Sequence, residues 1–459
     1  MFSSVLIANR GEIACRIAAT CRRLHVRSIA VYSDADAGAL HVKAAHEAHY
    51  LGASPASASY LNQEALLRII GETGAEAVHP GYGFLSENAQ FAAAVKQAGA
   101  VFVGPSATVL DQLSDKVRAR ELAARVGLFP IPGSSGSVTL GEIDSLMEVA
   151  NRVGWPLLVK AAAGGGGIGM HRVHNASDLP AALASAAGAA ERAFGDGRIY
   201  IERLLQAPRH VEIQVVRARS GSVRVLGNRE CSAQRRYQKL VEEGPSPALG
   251  AITPERLTEL ELLAQRLFES VDYEGVGTVE LLLDKTDGCF FLEVNARLQV
   301  EHTVTEMVYG VDLVEEQLRI ASGSDLSESI GQAQARGHAI EARIYAEDPV
   351  HGFLPQPGQV QELYFPSRQE IRIDCGIEPG ATVSPYYDPL IAKLTAWGQS
   401  RAEATRRLEE ALSESRLRVV SKSGVRANNL QLLREILGSA AWKSGKYDTG
   451  LVERLVTEL

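Results

Sequence analysis

Short apolar runs alternate with helical periodicity along the first quarter of the chain. "SSVLIA" reads as a buried strand, and "EIACRIAATCRRL" sets Ile13, Ile17 and Leu24 on one helical face. "RSIAVY" is the next strand, followed by the turn "SDAD". Two further buried-strand runs, "AEAVHP" and "AVFVGP", are separated by the helix-like "ENAQFAAAVKQAG". Strands alternating with helices predict a parallel α/β domain over residues 1–113. Its loop "HPGYGFLSEN" follows a strand and precedes a helix, where parallel sheets present ligand-facing turns.

The pattern changes after residue 113. "SDKVRARELAARVGL" predicts a linker helix within 114–131, and the Pro-, Gly- and Ser-rich "FPIPGSSG" marks a boundary. Residues 132–204 form a small segment with a glycine run and an Ala-rich helix around Leu179–Ala190. Beyond it, 205–459 carries many strands, among them "HVEIQVVRA", "SVRVLGN", "GTVELLLD", "CFFLEVNA" and "HAIEARIYA", with helices between them. The fold class is therefore α/β at the front and α+β behind, with no internal repeat.

The stretch "VKAAAGGGGIGMHRV" poses a question that periodicity leaves open. Its glycines fit G-x-G-x-x-G, but a second strand follows them where a dinucleotide site needs a helix. The Walker form fails too, since Lys160 precedes the glycines. A phosphate cradle of another kind and a flexible joint both fit.

Composition narrows the classes. The 459 residues suffice for two to four domains, with 46% hydrophobic and 22% charged residues. A net charge of −8 disfavours nucleic-acid and membrane-surface partners, which need a basic face. No apolar run reaches membrane-span length. "MFSSVLIANRGE" lacks the basic start and long apolar core of a signal peptide. The five cysteines are odd in number and form no C-x-x-C pair, so neither a disulfide framework nor a zinc site is expected. The expected location is the cytoplasm.

The densest chemistry lies in "GTVELLLDKTDGCFFLEVNARLQVEHTVTEM". A hairpin centred between Thr286 and Asp287 sets Glu280 directly opposite Glu293. Cross-strand neighbours are about 5 Å apart, which at an effective dielectric of about 20 gives roughly 3 kcal/mol of repulsion. This predicts either a protonated glutamate or a shared cation. Asn295 lies on the face of Glu293, so two carboxylates and an amide oxygen make a hard ligand set for Mg²⁺ or Mn²⁺. Arg297, Gln299, Glu301 and His302 follow around Leu298 and Val300. A second cluster, "NRECSAQRRYQKLVEE", places Gln234, Arg235, Arg236, Gln238 and Lys239 after a strand.

These stretches, with "IANRGEIACRI", "SDK", "PRHVEIQV" and "EARIYAEDP", occur in an order and at spacings that resemble biotin carboxylase. That family is the ATP-grasp component of biotin-dependent carboxylases, and the resemblance covers essentially the whole chain. It implies an N-terminal α/β domain, a small lid carrying the glycines, and a C-terminal mixed domain with most catalytic groups. It also answers the glycine question: Gly165, Gly166 and Gly167 resemble the lid loop that folds over the triphosphate. The implied reaction uses MgATP to activate bicarbonate as carboxyphosphate, then transfers the carboxyl group to N1 of biotin on a separate carrier.

By the same resemblance, Lys116 and Lys160 meet the ATP phosphates. Glu202 and Leu205 form the hinge that reads adenine, with His210, Gln234 and Tyr237 also around the nucleotide. Glu280, Glu293 and Asn295 match the metal ligands. Lys239, Arg297, Gln299 and Val300 match the bicarbonate pocket. Glu301 resembles the general base and Arg343 the cation that stabilises the biotin enolate. Such roles suit positive groups placed where oxyanion charge develops, beside one carboxylate that takes a proton. The family commonly has a histidine at the position of Tyr237 and a basic residue at that of Ile168.

The implied partners are a biotin carboxyl carrier protein or domain, a carboxyltransferase subunit and a second copy of the chain. The acceptor is expected to be an acyl-CoA. The alternatives are the biotin carboxylase portion of a pyruvate or urea carboxylase, or another ATP-grasp carboxylate ligase. A non-enzymatic nucleotide-binding scaffold would be expected to lack an acidic ligand or the base, and all are present. The chain contains no "MKM" biotin-attachment motif.

Overall fold

The computed structural model describes residues 1–139, 143–162, 169–285 and 288–457. At the N-terminus, five parallel strands stand in the order Glu47–Gly52, Arg27–Ser33, Ser4–Ile7, Ala77–His79 and Val101–Phe102. Alternate residues of these strands feed two cores. Leu6, Ile29, Val31 and Val78 pack with Leu66, Ile69 and Phe91, whereas Val5, Ile7 and Ala77 pack with Ile13 and Ile17. Helices thus cover both faces, as a buried parallel sheet requires.

Chain order reverses on either side of Ser4–Ile7, and ligands bind outside the carboxyl ends of strands at such a switch point. Two segments leave there, at Asn9–Glu12, where the helix Gly11–Arg23 begins, and at Pro80–Phe84. Asn9 ties them together, donating from Nδ2 to the carbonyls of Pro80 at 2.7 Å and Tyr82 at 2.8 Å.

The helix Lys116–Val126 begins at Asp115, whose side chain caps the amides of Val117 and Arg118. The following small unit holds an antiparallel sheet of Leu157–Ala161 flanked by His171–Val173 and Ile199–Arg203, backed by the helix Leu179–Phe194. Gly164 to Gly167 and Ile168 lie outside the described residues.

An antiparallel sheet of eight strands forms the body. Its order is Cys289–Asn295, Gly275–Leu283, Arg209–Arg217, Val223–Arg235, Gln238–Gly244, His338–Tyr345, Leu390–Gly398 and Ile371–Cys375. The period of two explains its character. On Arg209–Arg217, Val211, Ile213 and Val215 enter the apolar core. The alternate His210, Glu212 and Gln214 are equally buried on the other face. That second face is a charged interior. The cluster expected after a strand instead lies on the strands: Val223–Arg235 runs through Gln234 and Arg235, and only Arg236 and Tyr237 turn the chain. Both turn residues have positive φ, +45° and +67°, the twist that a two-residue hairpin loop demands.

Among the described residues no helix is long and apolar enough to cross a membrane. The C-terminal sheet meets the N-terminal unit where Gly376 presses on the start of the helix Gly11–Arg23. A Cβ at Gly376 would lie 2.8 Å from the Gly11 carbonyl carbon and closer still to the Glu12 amide nitrogen. Gly376→Ala should therefore destabilise the protein by about 1–3 kcal/mol, the usual cost of overpacking. A thermal melt checks this, and an unchanged melting temperature would contradict the close approach.

Candidate active site

The switch-point loops and the charged face of the large sheet enclose a cleft of about 930 Å³. Asn9, Arg10, Glu12, Tyr82 and Phe84 line it from the N-terminal side, and Lys239, Arg297, Gln299, Val300 and Arg343 from the sheet side. A smaller cavity of about 180 Å³ adjoins it, lined by Lys116, Lys160, Glu202, Leu205 and Gln234. His210, Tyr237, Glu280 and Glu293 line both. The two spaces meet at the paired glutamates.

Glu280 and Glu293 are indeed directly opposite, as are Thr278 and Asn295. Register shifts by one beyond Glu280, where Leu281 pairs with Phe291, so Leu292 is an extra residue bulged from the ladder. The repulsion is met by cations of the chain itself. Glu280 accepts from His210 Nε2 at 2.7 Å and Lys239 Nζ at 2.8 Å, and Lys116 Nζ stands 3.5 Å from Glu293. The chain's own His210, Lys239 and Lys116 thus meet part of the expectation of a shared cation. Burial pushes the Glu280 carboxyl up, but Lys239 and His210 outweigh it and hold the group well below the usual range. Burial opposes charge on His210 too, and Glu280 overcomes it, raising the imidazole.

Lys239 anchors the interior. Its ammonium donates to Glu212 at 2.8 Å, Glu280 at 2.8 Å and Glu301 at 2.5 Å, so each of its three protons has a carboxylate. Burial disfavours the charge, yet Cys231 and these carboxylates raise the ammonium well above its ordinary value. Glu212 also accepts from the fully buried Arg229, which in turn donates to Gln214 and Thr305. The other oxygen of Glu301 accepts from Arg343 at 2.8 Å. Burial pushes Glu301 up, but Lys239, Arg343 and Arg229 hold it far below the usual carboxylate range.

Arg297 is steered by a residue of the "HPGYGFLSEN" loop. Glu87 accepts from Arg297 Nε at 2.9 Å and from the Ala296 amide at 3.0 Å. Arg297 then donates to Asn295 Oδ1 at 2.9 Å and Gln299 Oε1 at 3.2 Å, while Asn295 and Gln299 turn their amide NH₂ groups to Glu280. Glu280, Glu293 and Asn295 are hard oxygen donors suited to Mg²⁺ or Mn²⁺. The amide of Asn295 must turn away from Arg297 to offer its oxygen. In the smaller cavity, Glu202 is ion-paired with Lys160 and Arg120. Arg172, on the small unit, and Tyr237, at the hairpin turn, both line this cavity.

Three family profiles match this chain in sequence. They are "Biotin carboxylase, N-terminal domain" over residues 1–110, "Carbamoyl-phosphate synthase L chain, ATP binding domain" over 115–329, and "Biotin carboxylase C-terminal domain" over 341–454. Biotin carboxylase 2 of Bacillus subtilis is 43% identical over 454 residues, spanning 99% of this chain and 100% of that protein. The chain belongs to the biotin carboxylase family. The mitochondrial methylcrotonoyl-CoA carboxylase subunit alpha of Oryza sativa is 43% identical over 99% of the chain and 60% of its own length. The solved biotin carboxylase domain dimer of Hydrogenobacter thermophilus 2-oxoglutarate carboxylase, in complex with MgADP, ADP and bicarbonate, superposes with a TM-score of 0.94 at 39% identity. The superposition covers 99% of this chain and 98% of that one.

This ATP-dependent ligase thus brings together, around two joined spaces, the residues its sequence singled out. The exception is the glycine loop, Gly165 to Gly167, which lies outside the described residues. Glu301 sits at 0% exposure behind Lys239 and Arg343 and lines neither space. Sequence reading missed Glu87, Glu212 and Arg229. A glutamate inside the buried alternation of "HVEIQVV" was a usable sign for Glu212, and Glu87 and Arg229 lay inside the "HPGYGFLSEN" loop and the "NRECSAQRRYQKLVEE" cluster without being singled out.

Lys239→Met should be severely destabilising at neutral pH, by about 3–5 kcal/mol, because it leaves buried carboxylates without their cation. The parent's contribution from the lowered Glu280 and Glu301 is fully present above the ordinary carboxylate range and is lost only as pH falls through their folded-state values below it. Without the ammonium, burial raises the orphaned carboxylates above the ordinary range, so the variant takes up protons and recovers stability between pH 8 and pH 5. The difference in melting temperature should therefore shrink on acidification toward pH 5. An equal difference at pH 5 and pH 8 would contradict the three-carboxylate role.

Proposed function

We propose that this chain carries out the first half-reaction of a biotin-dependent acyl-CoA carboxylase, with bicarbonate, MgATP and carrier-borne biotin meeting at the joined spaces. The supporting observation is the meeting of the two cavities at Glu280 and Glu293, with Lys239 bridging from Glu280 to Glu301. Lys116, Lys160, Glu202 and Leu205 would hold the nucleotide in the smaller space, and Gly165, Gly166 and Gly167 would cover its phosphates. Glu280, Glu293 and Asn295 would hold Mg²⁺, which supplies neutralisation of phosphate charge.

Arg297, Lys239, Gln299 and Val300 bind bicarbonate in the cleft. A bicarbonate oxygen attacks the γ-phosphorus, ADP leaves, and carboxyphosphate forms. The carboxyl carbon then bonds to N1 of biotin as phosphate departs and takes up the N1 proton. Glu301 takes the bicarbonate proton. Bound as it is to Lys239 and Arg343, Glu301 has little affinity for a proton. It becomes a competent base when those cations turn their hydrogen bonds to the incoming anions, and Arg343 then stabilises the enolate of biotin.

The partners in this reading are a biotin carboxyl carrier protein or domain, a carboxyltransferase subunit and a second copy of the chain. The relative named as a carboxylase subunit supports the first two, and the neighbour described as a domain dimer supports the third. The acyl-CoA acceptor rests on the methylcrotonoyl-CoA carboxylase relative. A cytoplasmic location is supported by five cysteines that are all unpaired.

ADP release from MgATP should depend on bicarbonate and rise with free biotin. Equal release with bicarbonate removed would overturn the proposal. Glu301→Gln should retain nucleotide binding and lose about 10²–10⁴-fold in turnover, the scale of a general base. Unchanged turnover would move that role to another residue.

A further inference from the structure

Behind the bicarbonate loop lies a second buried lysine that none of these roles uses. Lys393 is 0% exposed on the strand Leu390–Gly398, where it pairs directly with Arg343 on one side and Asp374 on the other. These two opposed cations bracket one dipeptide. Arg343 takes the carboxylate of Glu301, and Lys393 Nζ donates to the main-chain carbonyl of Val300 at 2.6 Å. The ammonium also lies 5.8 Å from the centre of the Tyr82 ring, at the cleft wall.

Its counter-charge comes from the other side of the cleft. Glu12, in the first turn of the helix Gly11–Arg23, stands 3.3 Å from Lys393 Nζ. Both Glu12 oxygens are buried and lack a hydrogen-bond donor among the described residues. Glu12 is therefore held in the interior by charge rather than by a hydrogen-bonded cradle.

We propose that Lys393 is a positioning residue that fixes the Val300–Glu301 segment for catalysis through the Val300 carbonyl, and that Glu12 is the counter-charge that keeps its ammonium there. The inference rests on the reading of Val300 and Glu301 as bicarbonate ligand and base. It links the Val300–Glu301 segment, through Lys393, to the N-terminal domain, which contributes none of the assigned catalytic groups.

The arrangement is sensitive to pH. Burial pushes the Glu12 carboxyl up to about 7, with Lys393 pulling it down and Asp374 and Glu341 adding to the rise. The other titratable groups facing it are Cys15 on its own helix and Cys375 beside Asp374. Glu12 loses its charge as pH falls through about 7, and with it the ion pair that faces Lys393 beside Val300.

The test is steady-state kinetics of bicarbonate-dependent ADP release across pH 6–9. Lys393→Met should lower kcat by about 10- to 100-fold, the scale of an ångström-level misplacement, while KM for MgATP stays within about twofold. Lys393→Arg, which keeps a donor and a charge, should recover most of kcat. In the parent, kcat/KM for bicarbonate should rise through an inflection near pH 7, and Glu12→Gln should abolish that inflection. If Lys393→Met does not fold, the isosteric Glu12→Gln decides through its pH profile alone. A parent without bicarbonate dependence defeats the proposed reaction. A dependent parent whose Glu12→Gln variant keeps the inflection, or whose folded Lys393→Met variant keeps kcat, overturns this inference alone.

Discussion

One buried ammonium organises the catalytic interior. Lys239 Nζ answers Glu212, Glu280 and Glu301 at once, so three carboxylates from three different chain segments converge on a single point. Charge burial of this kind adds little to stability, because desolvation cancels most of the Coulombic gain. Its value is positional. Glu280, which lines both spaces, and Glu301, which lines neither, are held by the same nitrogen, with its three protons fully committed.

The fold follows from where such a face can exist. A sheet with one apolar and one charged buried face needs cover over the charged one. The helix His302–Tyr309, which buries Thr303, Thr305 and Glu306, supplies part of that cover. The N-terminal domain brings its switch-point loops to the opposite side, so the cleft is walled by strand-end turns on one flank and by strand-borne charges on the other. Loops that carry Asn9, Glu12 and Tyr82 are pinned to the parallel sheet; Arg297, Glu301 and Arg343 are pinned to the antiparallel one. Relative placement of the two domains thus sets the site, and contacts such as Lys393 with Glu12 and Gly376 with the Gly11–Arg23 helix are where that placement is fixed.

Much of this was legible from residue patterns. Alternating strands and helices gave the parallel domain, and the "KTDG" turn gave the opposition of Glu280 and Glu293 that the ladder shows. The bulge at Leu292 was invisible, because a one-residue shift leaves hydrophobic alternation nearly intact on a short strand. The basic cluster around Arg235 read as a loop because runs of polar residues usually are solvated. Here they alternate across a strand whose both faces are buried, and local composition carries no trace of that. The chain's own cations around Glu280 were not legible either. His210 and Lys239 lie far from it in sequence and reach it only through the neighbouring strands. Lys393 and Glu12 escaped notice for the same reason, since 381 residues separate the partners of that contact.

The central claim is that Glu280, a proposed metal ligand, and Glu301, the proposed base, are held together through Lys239. Anomalous diffraction from crystals grown with MnADP and without bicarbonate tests it most directly. The account predicts a Mn²⁺ peak at about 2.0–2.6 Å from the carboxylates of both Glu280 and Glu293, with Lys239 Nζ still hydrogen-bonded to Glu301. A peak bound elsewhere, with Glu280 still carrying His210, Lys239, Asn295 and Gln299, would contradict it.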